Sequence, residues 1–390
     1  MLPTLSQSPQ DPDFVQNPYA FYDRARAHGP FFHWADYGKT CVTSYAAVNA
    51  ILRDRRFGRK VPPDRQKPIA PHAAPFYAIE AHSMLELEPP RHTRLRGLVM
   101  RAFTSRRINA LGPEIAQLSN DLIDACPAGE FDLLQHFGQR LPVTIIARLL
   151  GVPEAMGDDL LRWSNAMVKM YLAHRSHAVE EAAAQAAQDF SDFMRGYITA
   201  RRNRPADDLI THLIAAEAEG ERLSTEELIS TCILLLNAGH EATVHTIGNG
   251  VKALLAHPAA LAAPIEAVVE EIIRFDPPLH MFSRYAYDDI DVMGHVVPKG
   301  SEISLLLAAA NHDPKAFEAP ERFNPARPAK ANLSFGAGLH FCVGAPLARL
   351  ELQVALPILF QRLPRLHMTE PPRYSDSYHF HGLERLLVAG

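Results

Sequence analysis

Two textures of apolar and polar spacing alternate along the chain. "FFHWADYGKTCVTSY" (Phe31–Tyr45) and "IDVMGHVVPKGSEISLLL" (Ile290–Leu307) read as strands folded around glycine turns. Between them the spacing is mostly helical, as in "AVEEAAAQAAQDFSDFMRGYITARR" (Ala178–Arg202), which is rich in alanine and charged helix formers. "VPPDRQKPIAPHAAP" (Val61–Pro75) holds too many prolines for either and predicts a long functional loop. The resulting fold class is mainly α with small β-sheets.

The longest helix starts at "STEEL", where Ser224 and Glu227 have capping-box spacing, and stops at Pro258. Such a helix is about 50 Å long. Its middle, "CILLLNAGHEATVHTIGNG", is apolar almost all round, which predicts burial. Asn237, His240 and Glu241 nevertheless sit in it beside Gly239. A buried acid is costly unless it is paired or put to use. This turn is therefore either a hydrogen-bonded structural kink or part of a site.

Composition narrows the class. The 390 residues would make two or three ordinary domains or one large one, and no linker, repeat or low-complexity tract marks a boundary. With 47% hydrophobic residues a sizeable core forms and disorder is excluded. The net charge of −5, with acids and bases interleaved, points to neither nucleic acid nor a membrane surface. The four cysteines are far apart with no C-x-x-C pair, the N-terminus lacks the pattern of a signal peptide, and no apolar run is long enough for a membrane span. A soluble protein of a reducing, cytoplasmic compartment is expected.

The chemistry concentrates near the C-terminus. "FGAGLHFCVG" (Phe335–Gly344) packs three glycines, two aromatics, a histidine and one cysteine together. Glycines at that density let a backbone turn tightly and approach something large and flat. Pro346 suits the first turn of a following helix, whose dipole and free amides favour a thiolate at Cys342. Upstream, "EEIIR" sets Glu271 and Arg274 three apart on one helix face, and "PERF" (Pro320–Phe323) follows before the glycine loop.

In this order the motifs closely resemble the cytochrome P-450 superfamily of haem-thiolate enzymes, in its soluble bacterial branch. The pattern F-x-x-G-x-x-x-C-x-G is complete in Phe335, Gly338, Cys342 and Gly344. The resemblance implies one large domain over residues 1–390, with a long central helix on the distal face of haem b and the cysteine loop on the proximal side. It makes Cys342 the axial thiolate of the iron, which donates electron density toward O–O cleavage. His92 and Arg96 of "PPRHTRLRGLV", Arg284 of "MFSRYAYDD" and His340 are expected to hold the haem propionates, a role that suits the planar fork of arginine. Glu271, Arg274 and Arg322 are expected to form a structural triad, with Arg327 the weaker candidate for its third member. The other cysteines read as packing residues.

"AGHEAT" resembles the distal segment A-G-x-[D/E]-T, which breaks the helix to open a groove for dioxygen and water. Ala238, Gly239 and Glu241 fit, but Ala242 stands in place of threonine and Thr243 follows one position late. One residue rotates a side chain about 100° round a helix, so Thr243 does not simply substitute. The resemblance implies insertion of one atom of dioxygen into a small organic substrate, with electrons from a separate ferredoxin and ferredoxin reductase. Arg101, Arg106 and Arg107 are candidates to meet an acidic carrier, or simply form a solvated basic face. The pocket is expected to draw on the Val61–Met84 loop, Asn237, Leu279, His280, Met281 and Phe282, and His379–His381. A peroxide-driven or substrate-assisted oxidase, and a haem sensor or electron carrier without catalysis, remain as alternatives.

Overall fold

The computed structural model describes residues 2–172, 175–218, 221–328, 330–378 and 380–390. A six-stranded mixed sheet lies at one side of a helical body. Its strands are β1 (Thr4–Leu5), β2 (Phe31–Trp34), β3 (Lys39–Val42), β4 (Phe57–Gly58), β5 (Met281–Ala286) and β6 (Glu302–Leu306), in the order β1-β2-β3-β6-β5-β4. The parallel β3–β6 pairing joins residues from the two ends of the chain, aligning Cys41 with Ser304. Successive side chains of a strand point to opposite faces. Accordingly Phe31 and Val42 enter one apolar cluster with Ile303 and Leu305, whereas Phe32 and Cys41 enter another with Leu306.

The helices that matter for the site are α1 (Tyr45–Arg53), α2 (Ala74–Glu80), α3 (Arg91–Ala102), α4 (Gly157–Val168), α5 (His177–Asn203), α6 (Thr225–Ala256), α7 (Ile265–Phe275) and α8 (Ala345–Arg362). The expected long helix is α6, with 32 residues, about 48 Å at the standard rise. Its capping box is formed in both directions: Glu227 N–H donates to Ser224 Oγ at 3.2 Å, and Ser224 N–H to Glu227 Oε2 at 3.0 Å. The proline-rich stretch is irregular apart from single turns at Pro63–Arg65 and Pro71–Ala73. It gives way to α2, which the sequence pattern hid because Pro75 falls inside the first turn, where a missing N–H does no harm.

The cysteine loop is pressed between α1 and β5. Gly336 and Gly338 have φ of +69° and +68°, and a Cβ on Gly338 would lie 2.3 Å from Leu52 O at the end of α1. A Cβ on Gly336 would meet the Phe282 ring of β5 at 3.3 Å. Backbone conformation and space therefore both demand glycine at Gly338. Gly338→Ala should destabilise the protein by at least about 2 kcal/mol, read as a lower denaturant midpoint. Gly97→Ala, on the exposed side of α3 with nothing near its Cβ position, should not lower that midpoint.

Candidate active site around the cysteine loop

Cys342 N–H donates to Phe335 O at 3.0 Å, which closes the loop and sets the cysteine just ahead of α8. Burial pushes the thiol pKa up, while the N–H groups of Gly344 and Ala345 and the charges of Arg96 and Arg349 pull the other way. The helix terminus thus favours a thiolate as the sequence suggested, but desolvation outweighs it; a metal cation in contact with sulfur would reverse that balance. Cys41 and Cys232 are fully buried packing residues, and burial raises Cys41 to about 12.

Beside the loop, positive and imidazole groups outnumber acids. His92 is buried on α3, its ring 4.4 Å from that of His340, and its Nδ1 has no partner. Burial, then His340 and Arg96, lower His92 to about 4. Arg284 is 3% exposed on β5 and donates a hydrogen bond to the adjacent Ser283 O at 2.8 Å. Burial pushes its pKa down to about 9. Among the described residues Arg96 has no hydrogen-bond or ion-pair partner. Glu88 is the acid nearby, accepting from His340 Nε2 at 3.1 Å and from Arg59 N–H at 2.6 Å. Buried cations short of counter-charge call for further anions, and a ligand carrying carboxylates would supply them.

Behind the loop, Arg274 grips Glu271 in two-point fashion, Nε to Oε2 at 2.8 Å and Nη2 to Oε1 at 2.7 Å. Its other N–H groups reach Asn311 O, Pro320 O and Arg322 O. The expected third member, Arg322, contributes only that carbonyl; its side chain is 80% exposed and faces Glu321. Arg327 takes the place instead, 3.4 Å from Glu271 Oε2 with its own side chain 9% exposed. The reason is geometric: a turn at Ala319–Arg322 points the Arg322 side chain outward, and five residues on the chain returns to Glu271, where Asn324 N–H also donates at 2.8 Å.

Helix α6 is buried along most of its length, with one exception. Leu234, Asn237, Ala238, Glu241, Ala242 and His245 are all partly accessible, and Ala238 is exposed. These positions recur at three- and four-residue steps, so they form a single helix face. Leu279, Met281, Phe282, Leu339, Phe341 and Cys342 are likewise partly accessible or exposed. A partly accessible thiol and neighbouring arginines short of counter-charge together fit haem.

The turn "AGHEAT" does not interrupt α6. Thr243 is buried and its hydroxyl donates back to Gly239 O at 3.1 Å, so it is not free to act in the groove. Burial raises Glu241 to about 7, opposed by Lys169. It therefore changes protonation near neutrality: protonated below that pH, ionised above it. His245 Nε2 lies 3.7 Å from Glu241 Oε2 and His240 Nδ1 3.9 Å from Oε1. Asn237 Nδ2 rests 3.6 Å from Met167 Sδ of α4, and its Oδ1 has no partner.

One expected pocket residue is misplaced. His280 is fully buried and bonds Tyr22 Oη through Nδ1 at 2.8 Å. His280 precedes the strand and turns toward Tyr22 and Tyr378, the cluster on which Met281 also packs. His381 is also buried, stacked on Tyr374 at 3.8 Å, and His379 lies outside the described residues. A cleft of about 610 Å³ beside Glu88 is lined by Val61, Pro62, Pro63 and Tyr287, without Asn237, Leu279, Met281 or Phe282. Arg101 and Arg106 are exposed, and Arg107 is partly buried with its guanidinium 3.5 Å from Asp207. Sequence reasoning passed over Glu88, Arg59 and His245; the last was signalled by its four-residue step from Glu241.

The cytochrome P-450 family model matches residues 12–263 and 265–378 of this chain. The cytochrome P-450 monooxygenase PikC of Streptomyces venezuelae is 36% identical over 391 residues, covering 95% of this chain and 89% of the relative. The biotin biosynthesis cytochrome P-450 of Bacillus subtilis (strain 168) is 36% identical over 400 residues, with 99% of each covered. The crystal structure of P-450BioI in complex with hexadec-9Z-enoic acid ligated acyl carrier protein superposes with a TM-score of 0.91 at 34% identity, covering 97% of this chain and 99% of that one.

The triad geometry sets a comparison of two arginines. Arg327→Ala leaves Glu271 short of a buried partner and should cost about 2–4 kcal/mol, whereas Arg322→Ala removes only an exposed side chain and should stay within about 0.5 kcal/mol. Urea denaturation of both variants checks the order. A larger loss in Arg322→Ala would restore the original assignment.

Proposed function

This chain belongs to the cytochrome P-450 family, and on that premise we propose a haem-thiolate hydroxylase of a small organic substrate, supplied with electrons by a ferredoxin and its reductase in the cytoplasm. It is a monooxygenase that binds haem b. Haem, when bound, supplies the activation of dioxygen by which one oxygen atom enters the substrate and the other leaves as water, with two electrons and two protons consumed. The observation that carries the residue assignments is the cluster of buried, uncompensated cations beside an accessible Cys342 thiol.

In this reading Cys342 is the iron ligand, with the Gly344 and Ala345 N–H groups directed at its sulfur. His92, Arg96, Arg284 and His340 hold the propionates, and Glu271, Arg274 and Arg327 brace the loop from behind. Asn237, Leu279 and Phe282 line the substrate side, and the Asn237 amide offers the apolar face of α6 one polar anchor. Glu241 carries the distal proton, because Ala242 has no hydroxyl and that of Thr243 is committed to Gly239 O. Exposed Met100, Arg101 and Arg106 at the end of α3 offer a partly apolar, basic patch to an acidic electron carrier. Among the described residues no helix is long and apolar enough to cross a membrane.

Reduced protein with carbon monoxide should show the red-shifted Soret band of thiolate ligation, and Cys342→His should convert it to that of an imidazole-ligated haem. A Cys342→His protein that kept the parent spectrum would place the ligand elsewhere.

For the proton step, product formed per nicotinamide oxidised should fall about tenfold in Glu241→Gln and less in Thr243→Ala. The reverse order would move the relay to Thr243.

A further inference from the structure

A polar stripe leaves Glu241 along α6 and reaches solvent. Glu241, His245, Asn249 and Lys252 follow at steps of four, four and three residues, which keeps them on one face of a helix that is otherwise mostly apolar or small. At the outer end the Lys252 side chain is 32% exposed. Its Nζ donates to Tyr374 Oη at 2.5 Å, and that hydroxyl in turn donates to Asp276 Oδ2. Asp276 Oδ1 lies 3.5 Å from His381 Nε2. The next residue, Gly382, is packed so tightly on His245 that a Cβ there would fall 1.8 Å from the ring Nδ1. His245 Nε2 then stands 3.7 Å from Glu241 Oε2.

Between His381 and His245 two buried polar atoms have no partner among the described residues. His245 Nδ1 is one and Asn249 Oδ1 the other, although Asn249 Nδ2 donates to Asp276 O at 3.1 Å and His381 O at 3.0 Å. Buried atoms of this kind are usually satisfied by ordered water, which bridges proton donors and acceptors as well as a direct contact does.

We propose that this line is the proton inlet of the site, carrying solvent protons from Lys252 through Tyr374, Asp276 and His381 to His245 and on to Glu241. It deepens the monooxygenase reading above and rests on it. The hydrogen-bond directions at the outer end agree: Lys252 donates to Tyr374, which donates to Asp276, so a proton leaving each donor is replaced from the one outside it. No electrons move along the line, and the protons delivered leave in the water that each turnover releases. The inlet stands in for the hydroxyl that Ala242 lacks. Glu241 also faces His240 on its own helix and Lys169 from the turn Lys169–Tyr171, while Asp276 faces Tyr19 and His280 as well. Lys169 is the competing source of protons.

The test uses haem-loaded protein, a ferredoxin, its reductase and one tight-binding substrate. Lys252→Met and His245→Phe should each lower product per nicotinamide about tenfold, the scale of a positioned proton transfer. The missing electrons should appear as hydrogen peroxide and the solvent deuterium isotope effect should rise, with haem content and the substrate-binding spectrum unchanged. Independently of turnover, the infrared carboxyl band that is lost in Glu241→Gln should reprotonate more slowly after a pH jump in both variants. Unchanged coupling and unchanged reprotonation in both would overturn the inlet, as would their loss in Lys169→Met alone. A parent protein that forms no product defeats the monooxygenase reading instead, whereas a coupled parent with equally coupled variants defeats only the inlet.

Discussion

The cysteine loop lies against the end of α1 with no space for one extra carbon, since a Cβ on Gly338 would sit 2.3 Å from Leu52 O. Much of the architecture serves that contact. β5 closes the other side through Phe282 against Gly336, and β5 is itself held by β6, which pairs with β3 from the first part of the chain. The thiol is therefore placed by backbone packing between elements far apart in sequence. Placement of that kind is stiff, because close-packed interiors transmit small displacements rather than absorb them.

Charge is buried on both sides of this loop, with different outcomes. Behind it, Glu271 and Arg274 satisfy one another and take up four backbone groups as well, Asn311 O, Pro320 O, Arg322 O and Asn324 N–H. Such a closed network holds the segment after α7 in one conformation. In front of it, Arg96 and Arg284 remain short of counter-charge beside a neutral His92, which raises the free energy of the protein alone and favours binding of an anionic ligand. Desolvation thus closes a network behind the loop and favours an anionic ligand in front of it.

The distal helix shows a third use of burial. An apolar environment lifts Glu241 to about 7 and depresses His245 to about 4, so at neutral pH the two are close to sharing uncharged forms. A pair poised in this way can pass protons without stabilising a fixed ion pair. The departure at Ala242 then becomes a change of route. The acid stays where the groove is, and its supply comes along the helix.

Much of this was legible in the chain itself. The glycine spacing around Cys342, the capping box at Ser224 and the prolines of residues 61–75 each impose a local conformation, and local conformation is encoded locally. The cation set of His92, Arg96, Arg284 and His340 was legible through motif order. What the sequence could not decide was direction. Arg322 and Arg327 have the same chemistry five residues apart, and only the turn between them determines which one meets Glu271. His280 and its neighbours lie on one extended segment, and only the packing of Tyr22 against it decides that the histidine points inward. The contacts of His245 with Gly382, and of Lys252 with Tyr374 and Asp276, join residues more than a hundred positions apart or on different elements. Spacing along a chain sets the face of a helix, but what that face meets is fixed by long-range packing, which is where the tertiary structure alone decided.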